Sequence, residues 1–168
     1  MTQIISYGER KMPNIFRIIP GYRGYRKRED LRESDKVLRE FIYNKIKGDI
    51  IPILRRVFPI VMQKNAETGM LLNNVLMRID TLAQKILHSE RGYKPSSSIL
   101  KIKEQELENM IAFDSNILAK VDELAKKVKD FENVIITNIS QSSESLNLKI
   151  IEIENLIIEI ETLFDKRI

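Results

Sequence analysis

Apolar residues recur at helical spacing along most of the chain, and this pattern predicts an all-α protein. In the clearest stretch, residues 107–135, apolar side chains alternate in steps of three and four, and only Asp114 interrupts them with a polar group. Two further stripes with the same steps cover residues 72–86 and 146–164. Because such steps place side chains on one face of an α-helix, the sequence predicts a helical bundle or an antiparallel coiled-coil hairpin.

Prolines, glycines and short polar segments divide the chain into an arm and one domain. Residues 1–28 contain three glycines and two prolines and show no helical period, so they predict a basic, extended arm with turns. Residues 29–168 predict a single helical-bundle domain, with helices at about 29–47, 49–88, 99–138 and 144–168. Gly48 is predicted to end the first helix, and Pro59 is predicted to kink or split the second.

The last two stripes are wider than the seam of a two-stranded coiled coil. Extra apolar residues flank them, and such flanks need a covering helix to be shielded from water. The helix of residues 72–86 is the natural cover, and association with a second copy of the chain is the alternative. The flanking residues are Ile111, Leu118 and Ala125 on the third helix, and Leu148, Ile151 and Ile158 on the fourth.

Positive charge is concentrated near the N-terminus. Of the 28 Lys and Arg residues, 12 lie within residues 1–47, which contain only 6 of the 24 Asp and Glu residues. A localised positive surface favours a polyanionic partner, such as a nucleic acid, an anionic membrane surface or an acidic protein patch. The candidate binding residues at the end of the arm are Tyr22, Arg23, Tyr25, Arg26, Lys27 and Arg28.

Two arrangements of this cluster are open. In the first, Tyr22 and Tyr25 stack on unpaired bases while the cations hold phosphates, as in many contacts with single-stranded nucleic acid. In the second, both rings pack against the bundle and the basic residues pair with Glu29, Asp30 and Glu33. The first arrangement makes the arm a binding element, and the second makes it part of the fold.

The arm also carries a recognisable order of residues. It ends in Pro20-Gly21-Tyr22-Arg23-Gly24-Tyr25, and the charged residues that follow are Glu29, Arg32, Asp35, Lys36 and Arg39. This order is similar to the N-terminal signature of a group of uncharacterised prokaryotic helical proteins, in which a Pro-Gly-Tyr-x-Gly-Tyr segment opens a charged helix. The resemblance covers roughly a quarter of the chain. It implies that the arm is a defined element, and it implies no activity.

Residues 50–62 are rich in aliphatic and aromatic side chains but are too short to span a membrane. Pro52, Arg55, Arg56 and Pro59 interrupt this segment, whereas a transmembrane helix needs about 20 consecutive apolar residues. The segment fits either a peripheral position at an anionic membrane surface or a buried end of the bundle. Peripheral membrane association is therefore the third functional candidate.

Residues that commonly carry catalysis are scarce. The chain contains no Cys, which excludes thiolate metal sites and cysteine nucleophiles, and its single histidine, His88, excludes sites built from two imidazoles. We expect His88 to be an exposed residue at a helix end. Asp114 is expected to pair with a basic residue across the bundle, to fix helix register, or to lie where the helix bends. We predict no catalytic residue, no metal, no cofactor and no small-molecule substrate.

These features together predict a non-enzymatic helical interaction or scaffold protein that binds other proteins, with homo-oligomer formation as an option. A nucleic-acid- or ribosome-associated protein that uses the basic arm is the alternative. Residues 1–8 lack the apolar core of a signal peptide, and the absence of Cys suits a reducing compartment, so we expect a cytoplasmic protein.

Overall fold

The computed structural model describes residues 15–22, 28–89, 104–137 and 140–167, and within the two middle ranges it describes the side chains of residues 33–89 and 109–137. All secondary structure in these ranges is helical, which confirms the all-α prediction. The elements are α1 (Ile15–Ile18), α2 (Arg28–Lys45), a π-helical turn (Ile46–Ile50), α3 (Ile51–Lys64), α4 (Ala66–His88), α5 (Glu104–Thr137) and α6 (Ser143–Lys166).

The helices α2 and α3 join through the π turn without a non-helical residue, and we call residues 28–64 the first rod. The prediction that Gly48 ends the first helix is wrong, because Gly48 lies inside the π turn. Ile46 and Ile50 on either side of it are both fully buried, and their packing outweighs the cost of a helical glycine, about 1 kcal/mol. The π turn also ends two residues before Pro52, which has no backbone N–H to donate.

The chain reverses direction at Asn65, six residues after Pro59. Pro59 is exposed and lies inside α3, so of the predicted kink or split the split does not occur. Asn65 has an extended backbone with φ −154° and ψ 119°, and its Oδ1 accepts a hydrogen bond from the Thr68 N–H at 2.9 Å. This N-cap satisfies one of the free amides at the start of α4 and thereby fixes where the new helix begins.

Gly69 lets α4 approach α3 closely beside this turn. A Cβ atom on Gly69 would lie 2.8 Å from the Met62 Cα atom and 2.6 Å from the Met62 sulfur. Any side chain at this position would therefore collide with the backbone of the facing helix. The one-residue connection and the glycine together make a tight helical hairpin.

Cross-helix contacts show that the first rod and α4 run antiparallel. Lys47 of the first rod pairs with Asp80 of α4, and Arg39 donates a hydrogen bond to the Ser89 carbonyl. As the residue numbers fall along the first rod from Lys47 to Arg39, those of their contacts on α4 rise from Asp80 to Ser89. These two segments form the first helical hairpin.

The helices α5 and α6 form a second antiparallel hairpin, as their short connection predicts. Lys127 pairs with Glu152 at 2.8 Å, and Lys120 pairs with Glu159 at 2.9 Å. A step of seven residues toward the N-terminus of α5 is thus matched by a step of seven residues toward the C-terminus of α6, as in an antiparallel pair. At the start of α6, Ser142 acts as N-cap and accepts a hydrogen bond from the Ser145 N–H at 3.2 Å.

The two hairpins lie side by side and point the same way. The first rod packs on α5 and α4 packs on α6, and in both interfaces the ion pairs advance together along the two helices, as they do between parallel neighbours. These pairs are Lys45–Asp122, Arg56–Glu132, Arg78–Glu154 and Lys85–Glu161.

The hydrophobic core runs between the four long segments, and it contains the predicted stripes. Every apolar member of the stripe on α4 and of the stripe on α6 is buried. On α5, Met110 is half-buried, the later members are buried, and Leu107 lies outside the residues whose side chains are described. The buried members on these three helices are Leu72, Val75, Ile79, Leu82, Ile86, Ile117, Val121, Leu124, Val128, Phe131, Ile135, Leu146, Ile150, Ile153, Ile157, Ile160 and Phe164.

The ion pair of Lys127 and Glu152 makes the stability of the second hairpin depend on pH. The hydrogen bond from Lys127 lowers the pKa of Glu152 from its usual 4.5, and the same contact raises the pKa of Lys127 above its usual 10.5. A carboxylate with a lowered folded pKa stabilises the protein above its unfolded pKa, and this contribution is lost as pH falls through the folded value.

We therefore expect Glu152→Gln to lower the urea midpoint slightly at neutral pH and to have less effect in acid below the folded pKa of Glu152. Added salt should also shrink the difference, because both partners are exposed. Urea titrations of the two proteins at neutral and acidic pH test this. An equal effect of the substitution at both pH values would contradict the contribution of the pair.

Candidate interaction surfaces

Residues 15–22, which we call the strap, fold against one end of the bundle. Ile15, Ile19 and Tyr22 are 1%, 1% and 4% exposed, and α1 packs against α5. The rings of Phe16 and Tyr22 meet edge to face with their centroids 5.5 Å apart. The predicted extended arm of residues 1–28 is therefore corrected for this part, which is a packed element because its apolar side chains bury themselves in the core.

The turn at Gly21 directs Tyr22 into the bundle. Gly21 has a φ of +84°, in the left-handed region that glycine adopts without strain. The Tyr22 hydroxyl donates a hydrogen bond to Asp114 Oδ2 at 2.7 Å. In this structure Tyr22 is a packing residue, and its ring is not exposed for stacking on a base. The other candidate binding groups, Arg23, Tyr25, Arg26, Lys27 and the side chain of Arg28, lie outside the described residues.

Asp114 belongs to a buried network of charged side chains at the strap end of the bundle. Asp114 is fully buried, and its carboxylate also accepts a hydrogen bond from the Arg167 guanidinium. Arg167 reaches on to Asp35 of α2, and Asp35 pairs with Arg39 at 2.7 Å. Of the roles expected for Asp114, pairing with a basic residue across the bundle is confirmed.

This end network fastens four segments of the chain to one another. Through these side chains the strap, α2, α5 and the end of α6 are linked by charge-assisted hydrogen bonds. Carboxylates and guanidiniums alternate within it, and this alternation offsets the large cost of removing each charge from water. Because the side chains of Asp35 and Arg167 are only 6% exposed, the network holds the fold together rather than offering charge to a ligand.

Sequence reasoning missed Asp35 and Arg167 as partners of Asp114. The signal that pointed to them was the single polar residue in an otherwise apolar stripe, since a buried carboxylate needs a positive partner. Arg167 lies three residues beyond Phe164, the last apolar residue of the α6 stripe. Only the hairpin register, which the sequence leaves open, brings it level with Asp114.

Apolar side chains face water on α6. Leu148, Ile151 and Ile158 are 63%, 45% and 38% exposed. The expectation that the helix of residues 72–86 covers them is therefore wrong. The reason is geometric: α4 packs beside α6, and these residues lie on the side of α6 that points away from the core. Of the two covers considered from the sequence, the helix of the same chain is therefore excluded.

The flanking apolar residues of α5, unlike those of α6, pack against the core. Leu118 is only 4% exposed, and Ile111 and Ala125 are half-buried against the core. The extra apolar residues of the α5 stripe thus pack inside the molecule, whereas those of α6 face water.

We define the α6 outer face as seven exposed residues that follow one another in steps of four or three. This spacing keeps them on one side of the helix, opposite the buried stripe. The face is acidic at its N-terminal end, apolar with a central amide in the middle, and basic at its C-terminal end. Its members are Glu144, Leu148, Ile151, Asn155, Ile158, Thr162 and Lys166.

Two rows of glutamates border this face, and cations of the neighbouring helices hold each row. On the α5 side, Glu152 and Glu159 pair with lysines, and on the α4 side Glu154 and Glu161 pair with basic residues. These contacts fix the borders of the face and neutralise much of their charge. The cations are Lys127 and Lys120 on α5, and Arg78 and Lys85 on α4.

Residues 50–62 turn their apolar side into the bundle. The residues that remain exposed include Pro52, Arg55, Arg56 and Pro59. The position at a buried part of the bundle, one of the two considered from the sequence, thus accounts for the composition of this segment. Within the described ranges, every helix is too short or too polar to cross a membrane. The buried residues are Ile50, Ile51, Ile53, Leu54, Val57 and Val61.

Neither metal chemistry nor similarity to other proteins points to a function. In the part of the chain that the structure describes, no cluster of His, Asp and Glu side chains could hold a metal ion, and His88 is the exposed last residue of α4. No protein-family model, curated protein or solved structure matches the chain.

Proposed function

We propose that this protein is a non-enzymatic helical interaction protein that binds other proteins through the α6 outer face. The observation that carries this proposal is the row of exposed apolar side chains at Leu148, Ile151 and Ile158. Isolated exposed apolar residues are common on any protein. These three share one face of one helix, and grouped apolar surface with a polar border is typical of protein contact sites.

The rigidity of α6 supports the same function. Its inner face is fixed by buried residues along the whole helix, and its borders are fixed by ion pairs to α4 and α5. A helix face that is ordered before binding loses little conformational entropy when a partner docks. The amphipathic helix of a partner would be a suitable occupant, since helices recognise one another through residues spaced three and four apart. The absence of Cys suits a reducing compartment, and we propose a cytoplasmic location on that basis.

We expect the triple substitution Leu148→Gln, Ile151→Gln and Ile158→Gln to weaken partner binding by more than about tenfold, because it removes the apolar anchors. Folding should be nearly unaffected, with a change in unfolding free energy within about 0.5 kcal/mol per site, because all three residues are exposed. The measurement is affinity recovery of bound proteins from native lysate, with and without nuclease treatment.

The matched control is Met70→Gln with Met77→Gln, which changes apolar residues on α4 that are 63% and 64% exposed, at least as much as the three residues on α6. The control variant should recover the same partners as the natural chain, and nuclease treatment should not change the recovery. Only the α6 variant should lose the partners. Loss of all partners after nuclease would instead favour the nucleic-acid function of the basic arm. Recovery that is unchanged by the α6 variant would remove the support for this proposal.

A further inference from the structure

We infer that a second copy of the same chain occupies the α6 outer face, with the two α6 helices antiparallel about a two-fold axis at Asn155. This inference rests on the proposed function, since it names one partner for the same surface. It is carried by the order of charges and apolar residues along the face.

The α6 outer face is nearly symmetric about Asn155. Glu144 and Lys166 each lie eleven residues from it, and Leu148 and Thr162 each lie seven residues from it. A two-fold axis at the centre would therefore place Glu144 of each copy opposite Lys166 of the other. At a rise of 1.5 Å per residue, each charged pair would lie about 16 Å from the axis.

The same positions disfavour the parallel arrangement. Parallel helices in register would place Glu144 against Glu144 and Lys166 against Lys166, and like charges at both ends repel. The antiparallel arrangement replaces these contacts with two opposite-charge pairs. A two-fold contact also closes on itself, so it gives a dimer and not a growing fibre.

The apolar residues and the central amide fit the antiparallel order. Ile151 and Ile158 lie four and three residues from Asn155, so Ile151 of one copy would pack beside Ile158 of the other. At the axis, Asn155 would meet its own counterpart. An amide carries both donors and acceptors, so two asparagines can bond to each other, and a single such pair fixes register.

The acidic borders do not prevent this contact. In an antiparallel pair each glutamate row would face the same row of the other copy, and bare carboxylates would repel. Here Glu152 and Glu159 already hold Lys127 and Lys120 at 2.8 Å and 2.9 Å. The negative charge of the two facing rows would therefore already be largely neutralised by these lysines. The lysines of one copy would also attract the glutamates of the other.

Charge exchange at the two ends tests the inference. We expect Glu144→Lys or Lys166→Glu alone to weaken self-association by about tenfold at low salt, because each turns two attractive contacts into two repulsive ones. The double variant should restore association to within about twofold of the natural chain. Mixing the two single variants should give a heterodimer, since each then carries the charges that the other lacks. Sedimentation velocity over micromolar to millimolar concentrations measures all four.

Single cysteines test the geometry directly, because the natural chain has none. Asn155→Cys should form a disulfide with its own copy under mild oxidation. Leu148→Cys should not crosslink to itself, because the two positions would be about 21 Å apart along the axis. It should crosslink when mixed with Thr162→Cys. Met77→Cys on α4 is the control that should remain uncrosslinked.

The outcomes separate this inference from the proposed function. If the natural chain stays monomeric while the α6 variant still loses other partners, the inference is wrong and the proposed function stands. Self-crosslinking of Leu148→Cys would also overturn the antiparallel contact. So would self-association that stays as strong in Glu144→Lys and Lys166→Glu as in the natural chain. If dimers form as described but no other protein depends on this face, the inference stands and the wider binding function fails.

Discussion

Asp114→Ala should lower the free energy of unfolding by about 3 kcal/mol, one of the two largest losses we expect. The substitution removes the acceptor of the Tyr22 hydroxyl and the counter-charge of Arg167 in a fully buried place. Removing one partner of a buried ion pair typically costs about 3–5 kcal/mol, because the other charge remains away from water. Arg167 keeps its contact with Asp35, which places the expected loss at the lower end.

Two milder variants separate the parts of this effect. Tyr22→Phe removes only the hydroxyl and should cost about 1 kcal/mol, while the ring keeps its contact with Phe16. Asp114→Asn keeps an acceptor for Tyr22 and removes the charge, so it should fall between the other two. Urea unfolding monitored by circular dichroism gives all three values, provided that the m-value does not change. An Asp114→Ala loss no larger than that of Tyr22→Phe would refute a structural role for the charge.

Gly69→Ala should be the second large loss, about 1–3 kcal/mol in unfolding free energy. The new methyl group would lie 2.8 Å from the Met62 Cα atom, so the two helices must separate near their turn. Overpacking of this kind costs about 1–3 kcal/mol, even though alanine is the better helix former. The tight reversal at Asn65 leaves little freedom for the two helices to move apart.

Gly48→Ala is the matched control for this prediction. Gly48 is also helical, but a Cβ atom there would have no atom within 4 Å. The same substitution should therefore stabilise the protein by about 0.4–1 kcal/mol, because alanine restricts the unfolded chain. Opposite signs at the two glycines are the expected result in thermal or urea unfolding. A stabilising Gly69→Ala would show that α3 and α4 do not approach as closely as described.

The periodic part of the fold followed directly from the sequence. The stripes on α4 and α6 are buried at every predicted apolar position, because a step of three and four residues can be read without knowing the partner helix. The break before α6 was also visible, since the short polar segment of residues 138–143 precedes a new stripe in the sequence. Local spacing therefore fixes which side of each helix is buried.

Local signals misled where packing overrides them. Gly48 was expected to end a helix and Pro59 is able to split one, yet both lie within the first rod, where a run of buried residues continues past them. The actual reversal at Asn65 depends on an asparagine cap and on Gly69, whose value appears only when two helices meet. A glycine within a helical pattern can mark a close approach as well as a weak point.

The candidate sites divided in the same way. The exposed apolar flank of α6 was visible as a surplus beyond the stripe, but the sequence could not show which neighbour would leave it uncovered. Asp114 was visible as an exception, whereas its link to Arg167 joins residues 53 positions apart and depends on hairpin register. Sequence periodicity shows which face of each helix is apolar, and only the assembled bundle shows which of these faces contact one another.

The parallel stacking of two similar hairpins has a further consequence. In helical repeat proteins each hairpin rests on the next in this manner, and the stack's total stability is a sum of unit terms and one interface term per junction. Here one junction joins two units that share a single core, so weakening the first rod's contact with α5 should lower the stability of both hairpins together. The parallel stacking of the hairpins also offers a place where a third hairpin could be inserted by design.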